Sequence, residues 1–215
     1  IIMKIARFTV NPFSENTYLI WDCDTKDAAI IDPGMYNSND EEKIDNFIFK
    51  NELHLKYMLF THLHIDHVLG CKHIIEKYKL QVSGDTKENT LGYNLVKQAQ
   101  MFGLSVNISS IDIEKSLSEN DTIYLGNEKI EILSVPGHSP GSLVYYIPTS
   151  HFIICGDVLF QQSIGRTDLP GGNYDTLISG IKTKLLTLPA DTVVYPGHGD
   201  STTIGDEKSY NQYLR

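Results

Sequence analysis

Three cysteines in 215 residues, Cys23, Cys71 and Cys155, are odd in number, far apart and without C-x-x-C spacing. That excludes a disulfide framework and a cysteine-rich zinc site, and reduced thiols in a reducing compartment are expected. No apolar run approaches the roughly 20 residues that cross a bilayer. Ile1 to Phe8 show neither the long apolar stretch nor the small-residue cleavage site of a secretory leader. A cytoplasmic location without a membrane partner is therefore the expectation. Positive charge is also scarce. Eighteen Lys and Arg stand against 27 Asp and Glu, and the net charge of -9 is spread along the chain. Gripping a phosphate backbone needs a basic face, so nucleic acid is not an expected partner. Low-complexity segments and flexible linkers are absent as well, and one domain over 1–215 is expected.

What is present is a soluble globular composition, 41% hydrophobic and 21% charged. Short apolar runs at 4–10, 17–21 and 28–31 are broken by Asn-Pro, Asp-Cys-Asp and Asp-Pro-Gly, which predicts strands. A helix opens at Asn39-Asp-Glu-Glu42, with Ile44, Phe47, Ile48, His54 and Leu55 at helical spacing. Residues 56–60 predict a buried strand, and 68–78 and 87–102 predict helices. Gly126-Asn127 joins strands 122–125 and 129–135 as a hairpin. Strands at 143–147 and 152–155, a helix at 174–186, a strand at 192–195 and a short helix at 206–213 complete the order. Strands then helices, twice over, predict two packed sheets with helices outside.

Potential metal ligands follow four of the strands. Tyr57-Met-Leu-Phe60 runs into Thr61-His-Leu-His-Ile-Asp-His67, which holds three of the chain's eight histidines. The strand ending at Val135 runs into Pro136-Gly-His138, the one ending at Cys155 into Gly156-Asp157, and the one ending at Tyr195 into Pro196-Gly-His198. Proline ends a ladder and glycine permits a tight turn, so each imidazole projects from a sheet edge. His62 and His64, two apart, face one way from an extended segment, while Asp66 and His67 start the next helix. Five imidazoles and two carboxylates suit zinc or another borderline first-row ion.

The pattern H-x-H-x-D-H with a later histidine, aspartate and histidine resembles the metallo-β-lactamase superfamily, from Asn16-Thr-Tyr-Leu19 through Ile31-Asp-Pro-Gly34 to His198. The resemblance implies an αββα four-layer sandwich of the α+β class, with two mixed sheets and helices on both outer faces. It implies one metal on His62, His64 and His138, a second on Asp66, His67 and His198, and Asp157 bridging. Two divalent ions are implied, zinc first, with iron or manganese as the other candidates. The commonest true β-lactamases carry cysteine at the position of Asp157. Gly165-Arg-Thr-Asp168 resembles the short bacterial glyoxalase II-like hydroxyacyl-thiol hydrolases, and also persulfide dioxygenases. The first resemblance implies hydrolysis of an S-hydroxyacyl thioester, such as S-lactoylglutathione, by a hydroxide held between the ions, with Asp66 orienting it. The second implies a single iron on His62, His138 and Asp157. A lactonase is a further alternative. Longer glyoxalase II enzymes add a C-terminal helical segment that holds glutathione carboxylates. Here 17 residues follow His198, so a shorter or different thiol is expected.

The remaining candidates have plainer readings. Arg166 is a candidate substrate contact, although pairing with Asp168 to fix its loop explains it slightly better. Asp32 and Asp168 are candidates to fix imidazole tautomers. His54, His73 and His151 read as surface or satisfied histidines, and Cys71 and Cys155 as buried thiols. Tyr145 and Tyr146 alternate on one strand, so at most one is expected to face the core.

Overall fold

A computed structural model of the protein describes residues 3–215. Ile1 and Ile2, at the head of the stretch that lacks a leader pattern, lie outside them. The first sheet holds β1 (Met3–Val10), β2 (Glu15–Asp22), β3 (Asp27–Ile31), β4 (His54–Leu59), β5 (Val82–Gly84) and β6 (Lys115–Ser116) in that order. The second is formed by β7 (Thr122–Leu125), β8 (Glu128–Ser134), β9 (Leu143–Ile147) and β10 (Phe152–Gly156). After the small pair β11 (Leu159–Phe160) and β12 (Ser163–Ile164), it is completed by β13 (Val193–Pro196) and β14 (Thr202–Thr203), in spatial order β14-β13-β10-β9-β8-β7. Each sheet mixes antiparallel and parallel pairs.

Period-two alternation sorts the side chains into three apolar layers. Along β2, Tyr18 and Ile20 face the other sheet, while Leu19 and Trp21 face a helical layer. That layer holds α1 (Ser38–Lys50), α2 (Ile65–Val68), α3 (Cys71–Tyr78), α4 (Asn89–Gly92) and α5 (Leu95–Met101). On the far side, α6 (Tyr174–Gly180) runs on into a π-helical turn at Ile181–Leu185, and α7 (Ile204–Tyr210) closes the layer. The αββα sandwich is therefore present. Among the described residues, no helix is long and apolar enough to cross a membrane.

Several boundaries differ from the sequence expectation. α1 starts where the Asn37 side chain accepts from the Asn39 and Asp40 amides, a strong N-cap. It ends at Lys50, so His54 and Leu55 belong to β4. The helix expected over 68–78 is split, because the Gly70 amide bonds the Pro33 carbonyl at 2.8 Å. The helix over 87–102 is split too, where the Gly92 carbonyl takes the Ile111 amide. Tyr145 and Tyr146 are both buried: the first lies between the sheets and the second under the α6 layer. A strand covered on both faces has two inside directions.

Two tyrosines cross from sheet to sheet. The Tyr145 hydroxyl donates to the Phe60 carbonyl at 2.6 Å, and the Tyr18 hydroxyl donates to the Pro196 carbonyl at 2.7 Å. Tyr145→Phe should lower unfolding stability by about 1–2 kcal/mol, the loss of a buried hydrogen bond. Denaturant titration checks this, and Tyr124→Phe, on an exposed side chain, should change little.

Candidate metal centre

β8 and β10 are both antiparallel to β9, and β13 is parallel to β10. So β8, β10 and β13 point the same way, and their C-terminal ends share one edge. β4 of the other sheet ends there too, with the Thr61 carbonyl accepting from the Leu143 amide at 2.9 Å. This topology gathers His62, His138, Asp157 and His198 from distant positions. The two Pro-Gly-His turns differ in detail. Gly137 has φ +130, and a Cβ there would meet the Leu177 amide at 2.5 Å, so it answers a backbone need. Gly197 has no left-handed φ. A Cβ there would run into Asp157 Oδ1 and the His67 ring, so its need is space.

All seven expected ligands converge. His64 Nδ1 lies 2.9 Å from His138 Nε2, which lies 3.2 Å from His62 Nε2. Tetrahedral zinc, with bonds of about 2.0–2.1 Å, separates nitrogen ligands by about 3.3 Å, close to this spacing. Asp66, His67 and His198 form a second group, with Asp66 Oδ2 at 3.1 Å from His198 Nε2 and 3.6 Å from His67 Nε2. Asp157 stands between the groups. Its Oδ1 is 3.4 Å from His67 Nε2, and its Oδ2 is 3.7 Å from His138 Nε2 and 3.5 Å from His198 Nε2.

The donor set fits cations. His67 Nε2 and Asp157 Oδ1 are buried and neither has a hydrogen-bond partner, an arrangement that costs free energy unless something positive lies between them. Burial pushes the His62 imidazole well below its ordinary value and brings His64 down to about 3, with neighbouring imidazoles adding to the effect. His138 is lowered too, since burial outweighs Asp157. Three neutral imidazoles thus offer lone pairs to one point. In the other group burial opposes charge but loses. Asp66 and Asp157 lift His67 well above its ordinary value, and His67 in turn holds both carboxylates below theirs.

The far side of four of the five rings is tied down, while His64 Nε2 is buried without a partner. Asp32 Oδ2 accepts from His67 Nδ1 at 3.0 Å and from the Thr61 hydroxyl, whose oxygen lies 3.0 Å from His62 Nδ1. The Arg166 carbonyl is 2.8 Å from His138 Nδ1, and the Phe13 carbonyl is 3.1 Å from His198 Nδ1. The tautomers are assigned from these partners. Asp32 therefore has the orienting role expected of it. Asp168 does not: its carboxylate makes two 2.7 Å hydrogen bonds with the exposed Arg166 guanidinium, and the backbone of that loop, not the aspartate, reaches the histidine. His73 bonds Asp45, His151 bonds Asp191, and His54 is exposed. Cys71 and Cys155 are buried, as expected.

Sequence reasoning missed Asn11 and Glu88. Asn11 donates from Nδ2 to the Asp66 carbonyl at 2.9 Å. Glu88 is 1% exposed. Its Oε2 accepts from the Leu63 amide, between His62 and His64, and its Oε1 accepts from the Ser139 hydroxyl and the Gly141 amide, just past His138. One carboxylate thus joins two ligand loops. Its only sequence signal was an acid inside an otherwise amphipathic helical stretch.

The family model described as "Metallo-beta-lactamase superfamily" matches residues 10–198. The chain belongs to the metallo-β-lactamase superfamily. Like other members it is a hydrolase-type enzyme built around a metal site. It is 41% identical to hydroxyacylglutathione hydrolase GloC of Haemophilus influenzae, over 99% of this chain and 98% of that one. Among solved structures of the superfamily, BLEG-1 B3 metallo-beta-lactamase superposes with TM-score 0.88 at 33% identity, covering 98% of this chain and 99% of that chain. TTHA1623 in a di-iron-bound form gives 0.85 at 32%, covering 97% and 100%. ETHE1 from Myxococcus xanthus gives 0.77 at 27%, covering 97% and 83%.

Two outcomes are expected at this centre. Asp157→Ala should lower the bound metal, as measured by metal stoichiometry after dialysis; an unchanged metal content would rule out Asp157 as a ligand. Glu88→Ala should weaken metal binding about 10- to 100-fold, the usual effect of losing a group that positions ligands. Chelator competition reads that change, while His73→Ala leaves binding intact.

Proposed function

We propose that the protein hydrolyses S-hydroxyacyl thioesters of the S-lactoyl-thiol class. The observation that carries this reading is the placement of Asp157, one oxygen toward His67 and the other toward His138 and His198. A carboxylate so placed suits a pair of divalent ions, zinc first and iron or manganese next. His62, His64 and His138 would hold one ion and Asp66, His67 and His198 the other. Metal held there would bring the pKa of a bound water down from its bulk value toward about 7 and polarise a carbonyl. The likeness to GloC and to a protein solved in a di-iron-bound form supports both the substrate class and the ion pair.

The chain's own residues supply position and proton handling. Asp66 is held at its backbone by Asn11 and at its carboxylate by His198. It has an oxygen left to accept a proton from the attacking water and orient it. Asp32, Thr61 and the Arg166 carbonyl keep three imidazoles from rotating. His62, His67 and His138 are buried and the Asp66 and Asp157 side chains are only 15% and 14% exposed, so solvent screens the charges here little and their interactions are strengthened. The leaving thiolate has a parent pKa of about 8.5 and needs no strong acid. The Arg166 guanidinium is engaged by Asp168, which favours a loop-fixing role over contact with substrate.

A second reading has one iron on His62, His138 and Asp157 acting on a persulfide. The likeness to ETHE1 and the approach of these three side chains support it. Purification without oxygen, metal analysis and assays separate the two. The thioester reading expects two ions per chain, lactoyl-thioester cleavage without oxygen uptake, loss of activity on chelation and its return with zinc. Asp66→Asn should lower kcat at least 100-fold, in line with the loss of a positioned proton acceptor. One iron with oxygen consumption on a persulfide overturns the reading. So does preferential cleavage of a lactone or a β-lactam.

A further inference from the structure

Beside the metal centre lies a cavity of about 310 Å³, and one of its walls is the His64 ring. That volume falls at the lower end of small-molecule clefts, roughly 300–1,000 Å³. Its apolar lining comes from Leu91, from Met101 of α5 and from Phe102 just after it. Leu169 and Pro170 line it as well. They directly follow Gly165-Arg-Thr-Asp168, so the Arg166–Asp168 pair holds an apolar wall in place.

The polar side chains around this cavity are turned toward backbone. Gln98 accepts the Ile65 amide on Oε1 and donates to the Leu91 carbonyl from Nε2. Asn94 donates to the Thr90 carbonyl at 2.7 Å. Lys97 is the one charged residue among the lining side chains. Met101 and Phe102 are 61% and 40% exposed at the mouth. Large apolar side chains left in water next to a site mark a surface that something apolar covers. Two carboxylates, as on glutathione, would meet a single cation here.

Resting on the thioester reading above, we infer that this cavity binds the acyl arm of the substrate. It thereby selects hydroxyacyl groups with a hydrocarbon chain or ring larger than lactoyl. The acyl arm is the occupant because soluble thiol carriers are polar molecules, which leaves the acyl group as the apolar half of such an ester. Its carbonyl would then lie beside His64, at the edge of the three-histidine group.

The test holds the thiol constant as N-acetylcysteamine and lengthens the acyl group from lactoyl to 2-hydroxyoctanoyl, with kcat/KM measured on the zinc-loaded enzyme. Each buried methylene contributes roughly threefold to fourfold, so a gain of more than about tenfold is expected. Met101→Glu and Leu169→Asp should bring the long-to-short ratio toward one, while His73→Ala leaves it unchanged. A flat or inverted ratio overturns the inference. A gain obtained only by lengthening an apolar thiol on a constant lactoyl group overturns it as well. If no thioester is cleaved, the thioester reading falls. The cavity is then decided by calorimetry of 2-hydroxyoctanoate against lactate on the metal-loaded protein, where equal affinities refute it.

Discussion

Imidazole nitrogens and carboxylates buried within a few ångströms of each other cannot all be satisfied by protein alone. This constraint organises the molecule. Three neutral imidazoles aim lone pairs at one point, and Asp66, Asp157, His67 and His198 crowd around another. Polar atoms without partners, such as His67 Nε2 and Asp157 Oδ1, are tolerated where a cation completes the set. The rest of the chain serves to hold that arrangement. Parallel strand ends deliver the ligands, and Asp32 and Glu88 restrain them.

Much of this was legible in the residues. The ligand set could be read because each member sits just past an apolar run, and strand ends are local features. The layer order could be read because strands followed by helices recur twice, and β9 and β10 are apolar throughout, as strands covered on both faces are. That same property hid Tyr146, since alternation says nothing about the inside when both faces are inside. The breaks in the helical layer were not legible. Gly70 leaves its helix for a carbonyl at Pro33, and Gly92 gives its own carbonyl to Ile111. Both are long-range choices that local spacing does not encode. β5 and β6, three and two residues long, are too short to show any period.

The supporting groups divide in the same way. Asp32 stood out because it follows a strand and precedes proline and glycine. Asp168 had similar credentials, yet its neighbour two residues back took it. An adjacent guanidinium with matching geometry wins over a more distant imidazole. Glu88 and Asn11 act across long sequence separations, Glu88 through the Leu63 and Gly141 amides and the Ser139 hydroxyl and Asn11 through the Asp66 carbonyl, contacts that leave no periodic pattern in the chain.

Tyr18 and Tyr145 rest their hydroxyls on carbonyls that lie two residues before His198 and His62. Any widening of the gap between the leaves therefore pulls on the segments that carry these two imidazoles. Breathing of the sandwich and the spacing of the ligand loops form one coordinate. Metal drawn tight at the rim would act as a clasp on the interior, and a loosened interior would be felt first as slack at the rim.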